Sequence, residues 1–214
     1  MFASIARRYD RTNRILSLGQ DVAWRRTAAK ELLSSPGLIL DLASGTGDLT
    51  LALRRRHHRV VSADFTFEML LRARHKPGDG FRQVAADAHA LPFREHSFDG
   101  VSVGFGVRNF AELHGCLKEI LRVTRRHGSV VVLEFSKPPR GIDFFYEWYS
   151  SRVLPTLGGM LSGSRAAYEY LNRSSREFPE GPRFLDILHD AGFSELTMHR
   201  LTLGIATVYR GVRP

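Results

Sequence analysis

Apolar residues change their spacing along this chain in a repeating order. Residues 37–42, GLILDL, form a continuous apolar run broken at Asp41 and followed by a glycine-containing turn, the pattern of a buried strand feeding a loop. In the next stretch, DLTLALRRR, Leu49, Ala52 and Leu53 fall at helical spacing, and RVVSAD then predicts a second strand ending at Asp64. The alternation continues with a helix over FEMLLRAR, a strand over FRQVAAD ending at Asp87, a strand over FDGVSVGF and a helix from about residue 111 to 125. Within that helix Leu113, Cys116, Leu117, Ile120 and Leu121 recur at i, i+3, i+4, i+7 and i+8, which turns the cysteine toward the core. The β-branched run SVVVLEF, residues 129–135, suits a central strand covered on both faces.

The alternation breaks over residues 138–178. Phe144, Phe145, Tyr146, Trp148, Tyr149, Tyr168 and Tyr170 are scattered there among Pro155, Gly158 and Gly159, too irregular for a strand and too aromatic for a linker, so a helical insert is expected. Beyond it, Phe184, Ile187, Leu188 and Ala191 mark an amphipathic helix ended by Gly192. LTMHRL and GIATVYRG then predict two strands joined tightly enough to be antiparallel. Repeated strand–helix–strand units followed by such a hairpin predict an α/β fold whose sheet is mostly parallel with an antiparallel last strand.

Length and composition narrow this picture. The 214 residues suffice for one substantial core and predict a single domain. No apolar run reaches the length of a membrane span, and MFASIARRYDRTN lacks the apolar stretch of an export signal, so a cytoplasmic location is expected. One cysteine, Cys116, excludes a disulfide framework or thiolate metal cluster within the chain, and no metal is expected. The net charge of +9 is carried almost entirely by arginine, since Lys30, Lys76, Lys118 and Lys137 are the lysines. Such a surface attracts anions, either nucleic acid or the anionic face of a membrane.

The loop after the first strand, DLASGTGDLT, holds the candidate chemistry. A dinucleotide site wants G-x-G-x-x-G, and the third position here is Thr50. Asp41, at the strand's end, would repel a pyrophosphate and favour a cation, which makes S-adenosylmethionine, with its sulfonium and ammonium, the better match to Asp41, Gly45, Thr46 and Gly47. Asp64, 17 residues after Gly47, is placed to accept both ribose hydroxyls of either cofactor, and Asp87 to meet the adenine edge.

The glycine loop together with five other segments sharpens the reading. DLASGTGDL, DAHALPFREHSFD, GFGVRNF and VLEFSKP, preceded by RYDRTNRILSLG and followed by YEYLNRSSREFP, closely resemble the quinone C-methyltransferase (UbiE/MenG) family, which methylates demethylmenaquinol and related polyprenyl quinols. The resemblance runs nearly the whole length. It implies a Rossmann-like class I SAM-dependent methyltransferase with a seven-stranded sheet, an N-terminal helical lid over 1–35 and a substrate-covering insert over 138–178. Cofactor contacts are implied at Thr46, Asp64, Asp87 with Ala88, and near Gly104. The chain departs from the family at Gly104, often a serine, and at Gln20 and Asp21, where a histidine is usual.

A ring carbon becomes nucleophilic when a quinol hydroxyl, of pKa about 10, gives up its proton, so the quinol is the expected acceptor. Arg108 is placed to pair with the developing oxyanion and Asn109 to orient the second ring oxygen, a water polarised beside Arg108 or else Asp10 to take the proton, and Tyr9 to close the ring pocket. The polyprenyl tail implies peripheral contact with an anionic membrane surface through the insert's aromatics and RRYDRTNR. A homodimer stays open. An RNA methyltransferase is disfavoured because GFGVRN stands where a base-stacking Asn-Pro-Pro-aromatic element would be, and a catalytically silent binding protein because GTG, Asp64 and Arg108-Asn109 are intact. A methyltransferase of the same fold acting on another lipid or phenolic metabolite is the main alternative.

Overall fold

The structure, a computed structural model, describes residues 9–76, 82–138 and 165–214. Among these residues seven strands form one sheet: β1 (Leu38–Leu42), β2 (Arg59–Asp64), β3 (Arg82–Ala85), β4 (Phe98–Gly104), β5 (Thr124–Phe135), β6 (Ser194–Leu201) and β7 (Ala206–Val212). Their order is β3-β2-β1-β4-β5-β7-β6, with β7 antiparallel to both neighbours and the pairs from β3 to β5 parallel. The helices are α1 (Tyr9–Leu16), α2 (Gln20–Leu32), α3 (Asp48–Arg54), α4 (Phe67–Ala73), α5 (Leu113–Val123), α6 (Arg165–Glu177) and α7 (Pro182–Asp190).

The continuous apolar runs arise because both faces of the sheet are covered, and successive residues of one strand enter different cores. Leu40, Val130 and Val132 pack with Cys116, Leu117 and Ile120 of α5 and with Phe184 and Leu188 of α7. Ile39, Val131 and Leu133 face the other way, against Trp24, Ala28 and Leu32 of α2 and Leu49 and Leu53 of α3. Cys116 is fully buried as its spacing predicts, and burial first, with nearby carboxylates, pushes its thiol up to about 12, so it is chemically inert at neutral pH.

The boundaries of β5 and β3 differ from the sequence reading. β5 begins at Thr124, ahead of its apolar run, and its pairing with β4 slips between Phe98 and Gly100. Gly128 sits at that irregularity, where an added Cβ would lie 2.8 Å from the carbonyl oxygens of both Arg125 and Asp99. The exposed residues Arg125, Arg126 and His127 hide this end of the strand from a hydrophobicity pattern. β3 ends at Ala85, and Asp87 lies beyond it in a turn bridged to Ala90. The cause is local: Asp87 Oδ1 accepts the His89 backbone N–H at 2.9 Å and so competes with continued pairing.

The N-terminal segment is helical where it is described, and Trp24 of α2 packs on Phe105 and Phe135 with ring centroids 6.1 and 6.3 Å away. Of the expected insert, α6 is described. Residues 139–164, with Phe144, Phe145, Tyr146, Trp148 and Tyr149, lie outside the described residues, as does the side chain of Tyr168. No helix among the described residues is long and apolar enough to cross a membrane.

Candidate functional site

In this strand order β1 and β4 are neighbours whose following helices, α3 and α5, pack on opposite faces of the sheet. The loops at their carboxyl ends therefore part and leave a crevice, the usual ligand position in an open α/β sheet. A cavity of about 440 Å³ occupies it, lined by the ends of β1, β2 and β4, by the turn after β3, and by Arg25 and Tyr170. The loops cross closely: a Cβ on Gly106 would lie 2.5 Å from the Ala43 Cβ. Gly104 faces Leu49, whose Cδ2 would be 3.0 Å from an added Cβ, so any larger residue here would require Leu49 to shift.

The glycine loop is held open by Asp64. Gly45 and Gly47 take the left-handed conformation, with φ of 55° and 84°. The Gly45 N–H donates to Asp64 Oδ2 at 2.7 Å, and the Thr66 N–H donates to Oδ1 at 2.7 Å. Burial pushes the Asp64 carboxyl up, and these two backbone donors act against that rise. The Thr66 side chain is a third donor to this carboxylate, whose roughly four lone-pair sites are not exhausted by these bonds, so the braced group can still accept from a ligand in the cavity.

Asp41 is fully buried and more committed. Thr50 Oγ1 donates to one of its oxygens at 2.5 Å and Ser102 Oγ to the other at 2.8 Å. Burial lifts its pKa to about 6, against the pull of those hydroxyls and of Arg25. It lines the cavity as a fixed charge whose two oxygens are already engaged.

The raised value has a pH consequence. Well below about pH 4 Asp41 is protonated in both folded and unfolded chains and contributes no pH dependence. As pH rises through about 6, the unfolded chain has already released its proton, and the native state bears a growing penalty, on the order of 3 kcal/mol when complete. The stability of wild type relative to Asp41→Asn should therefore fall between pH 4 and 7 in urea unfolding. A difference independent of pH would contradict the assigned shift.

Above the glycine loop, α1 and α2 are fastened by charge. Lys76 Nζ lies 2.8 Å from Asp10 Oδ2 and 3.2 Å from Thr46 Oγ1, and it also contacts Asp48. Thr46 Oγ1 donates to Asp10. Burial works to raise the Asp48 pKa, but Lys76, Arg25 and Arg14 together outweigh it and hold the carboxyl low. Arg14 Nε lies 3.2 Å from Asp21, which also receives Arg25 Nη1 at 2.6 Å. Asp10, expected as a proton acceptor, is thus paired with Lys76 and Thr46 and is not among the cavity-lining residues. The side chain of Tyr9 lies outside the described residues.

On the opposite wall, Asn109 and Tyr170 line the cavity together, with Asn109 Oδ1 accepting from the Tyr170 hydroxyl at 3.0 Å. Arg108 turns the other way. Its Nη1 donates to Glu134 Oε1 at 2.5 Å and to the Phe105 carbonyl at 2.8 Å, and its side chain and that of Glu134 are 2% and 0% exposed. The buried Nε has no partner among the described residues. Arg108 is therefore a buried ion pair beside the cavity wall rather than a residue of its lining. Asp87 and Ala88 form the outer end of the cavity, where the His89 backbone N–H, and then its ring, hold the exposed Asp87 carboxyl below its usual range.

The sequence reading brought Asp41, Gly45, Thr46, Asp64, Asp87, Ala88, Gly104 and Asn109 to one cavity, with Gly47 turning the same loop into α3. It missed Arg25, Lys76 and Glu134. For Glu134 a signal existed, because an acid inside the apolar run VVVLEF must meet a cation if the strand is central.

Comparison with known proteins places these features. A model of the ubiE/COQ5 methyltransferase family matches residues 1–213. A demethylmenaquinone methyltransferase of Thermus thermophilus is 46% identical over 221 aligned positions, covering 100% of each chain. One from Deinococcus radiodurans is 44% identical, covering 99% of this chain and 90% of its own. Among solved structures, a SAM-dependent methyltransferase of Thermotoga maritima superposes with a TM-score of 0.72 over 100% of both chains at 18% identity, a likeness of fold.

Proposed function

The chain belongs to the ubiE/COQ5 methyltransferase family, and from that premise and the cavity's chemistry we propose that it methylates a ring carbon of demethylmenaquinol with S-adenosylmethionine. The observation that carries the donor assignment is Asp64, braced by the Gly45 and Thr66 N–H groups at the mouth of a left-handed glycine loop. That arrangement suits a ribose diol, and spends on a carboxylate the Gly45 N–H that would otherwise be available to a phosphate. The cavity volume, about 440 Å³, is within the range of small-molecule sites.

S-adenosylmethionine supplies a methyl group on a positively charged sulfur. The protein's part is positioning and charge: Asp64 would hold the ribose, Asp87 and Ala88 would border the adenine, and Asp41 would supply a negative charge for the donor's cationic end, all four residues lining the cavity. The paired Asn109 and Tyr170 orient the acceptor's ring oxygens. Arg108 acts through the wall, since its bond to the Phe105 carbonyl and its ion pair with Glu134 fix the turn that carries Asn109.

Purified protein given labelled donor and reduced demethylnaphthoquinol should place label on the ring carbon, and should fail with the oxidised quinone. Parallel arms with a benzoquinol, a sterol and RNA define the headgroup. Transfer to one of the last two with none to a quinol would overturn the assignment.

A lipid acceptor calls for a membrane-facing edge, and two residues support one. Leu18 and Leu203 are 86% and 68% exposed, yet hold left-handed backbone, with φ of 51° and 57°. Such a conformation costs a bulky residue about 1–3 kcal/mol. The turns are tied together through Thr202 Oγ1, which accepts from Trp24 Nε1 at 2.7 Å and lies 3.4 Å from Gln20 Oε1. Because β6 runs parallel to β5, the turn with Leu203 follows a strand end on the same sheet edge as the cavity. These leucines enter the interface while the chain's +9 charge holds the anionic surface. Leu18→Asn with Leu203→Asn should weaken cosedimentation with phosphatidylglycerol vesicles about tenfold or more, and leave turnover of a short-tailed quinol intact. Unchanged vesicle binding would assign docking to another surface.

A further inference from the structure

The donor just proposed is a zwitterion. Its sulfonium and ammonium suit the acids of the cavity, but its α-carboxylate would be repelled by the same four, Asp41, Asp48, Asp64 and Asp87. Two basic residues line the cavity among those described, Arg25 and His89. His89 is committed at the outer end, with Nδ1 2.8 Å from Asp87 Oδ1 and Nε2 accepting the Glu112 N–H at 3.2 Å. Arg25 lies at the other end. Its guanidinium carbon sits 5.2 Å from the centre of the Phe105 ring, and its charge acts on both Asp41 and Asp48, beside the glycine loop.

Arg25 is held by one nitrogen. Nη1 meets both the Asp21 carbonyl, at 3.0 Å, and the Asp21 Oδ2, at 2.6 Å. Nε and Nη2 have no recorded partner among the described residues, and neither is a buried orphan, so both remain open to a ligand. The fork of a guanidinium matches a carboxylate in two parallel hydrogen bonds. We propose that Arg25 is the anchor for the α-carboxylate of the amino-acid end of the methyl donor, with Asp21 orienting it from behind. The arrangement makes the lid part of the donor site: α2 docks by Trp24 in the core and presents Arg25 one residue later.

This inference rests on the donor assignment above, and the test separates the two. S-adenosylhomocysteine carries the carboxylate; S-adenosyl-3-thiopropylamine keeps the adenosine, thioether and ammonium and lacks that group alone. Calorimetry with Arg25→Gln should show affinity for S-adenosylhomocysteine reduced about ten- to a hundredfold, with affinity for the decarboxylated compound changed less than about threefold. Arg25→Lys, which keeps the charge, should recover part of the loss. Equal weakening of both ligands means Arg25 shapes the lid without touching the carboxylate, and unchanged binding of both removes it from the site; either result overturns the inference and leaves the donor assignment standing. Wild-type protein that binds neither ligand overturns both.

Discussion

Replacing Arg108 with alanine lowers stability before it lowers chemistry, by about 3–5 kcal/mol, because Glu134 is left charged and uncompensated in the core. The two side chains are 2% and 0% exposed and meet at 2.5 Å, and the guanidinium also holds the Phe105 carbonyl and covers the Phe135 ring at 5.5 Å. For a domain of this size the loss corresponds to a melting point lower by roughly 6–20 °C. The decisive comparison is Arg108→Met with Glu134→Leu, which removes both charges and restores packing; it should recover most of the stability lost in Arg108→Ala. Turnover of each variant is then measured below its melting point. If Arg108→Ala melts with wild type yet loses turnover, the residue acts on the acceptor directly and the buried pair is not what holds the wall.

Arg108 also shows where sequence reading gave out. GFGVRN identifies a segment that ends a strand beside the cavity, and local pattern places Arg108 and Asn109 there together. Which of the two faces the ligand depends on Glu134, 26 positions away on the neighbouring strand, and on Tyr170, 61 positions from Asn109. Strand cores were legible because coverage on both faces writes long apolar runs such as LIL and VVVL. The early start of β5 was not, since Arg125, Arg126 and His127 point to solvent while their backbone remains in the strand. The glycine loop was legible in position and incomplete in mechanism. Its spacing announces a turn at Gly45, but the acceptor that fixes the turn is Asp64, 19 positions on, and Lys76, 28 positions from Asp48, ties the loop's helix to α1. Asp10 looked like a free carboxylate because nothing in YDRTN names that lysine.

Asp64 gives the opposite balance between stability and function. On the proposed donor site, Asp64→Ala should reduce affinity for S-adenosylhomocysteine by about a hundredfold or more, since the charge-assisted bonds proposed to the ribose would be lost, each typically about 1.5–3 kcal/mol. The loop suffers as well: the Gly45 and Thr66 N–H groups, each 2.7 Å from a carboxylate oxygen, lose their acceptor together. Asp64→Asn is nearly as damaging to binding, because an amide presents one oxygen and one NH₂, and the NH₂ must face one of two backbone donors. Stability should move little in the asparagine variant. Burial raises the Asp64 pKa, so the ionised group strains the native state at neutral pH, and a neutral side chain relieves that cost while leaving one N–H unsatisfied, a penalty of about 1–3 kcal/mol in the other direction. The expected signature is a binding isotherm that collapses at an almost unchanged urea midpoint, the reverse of Arg108→Ala. An Asp64→Asn variant that binds S-adenosylhomocysteine like wild type would show that the braced carboxylate serves the loop alone, and the ribose would have to be held elsewhere in the cavity.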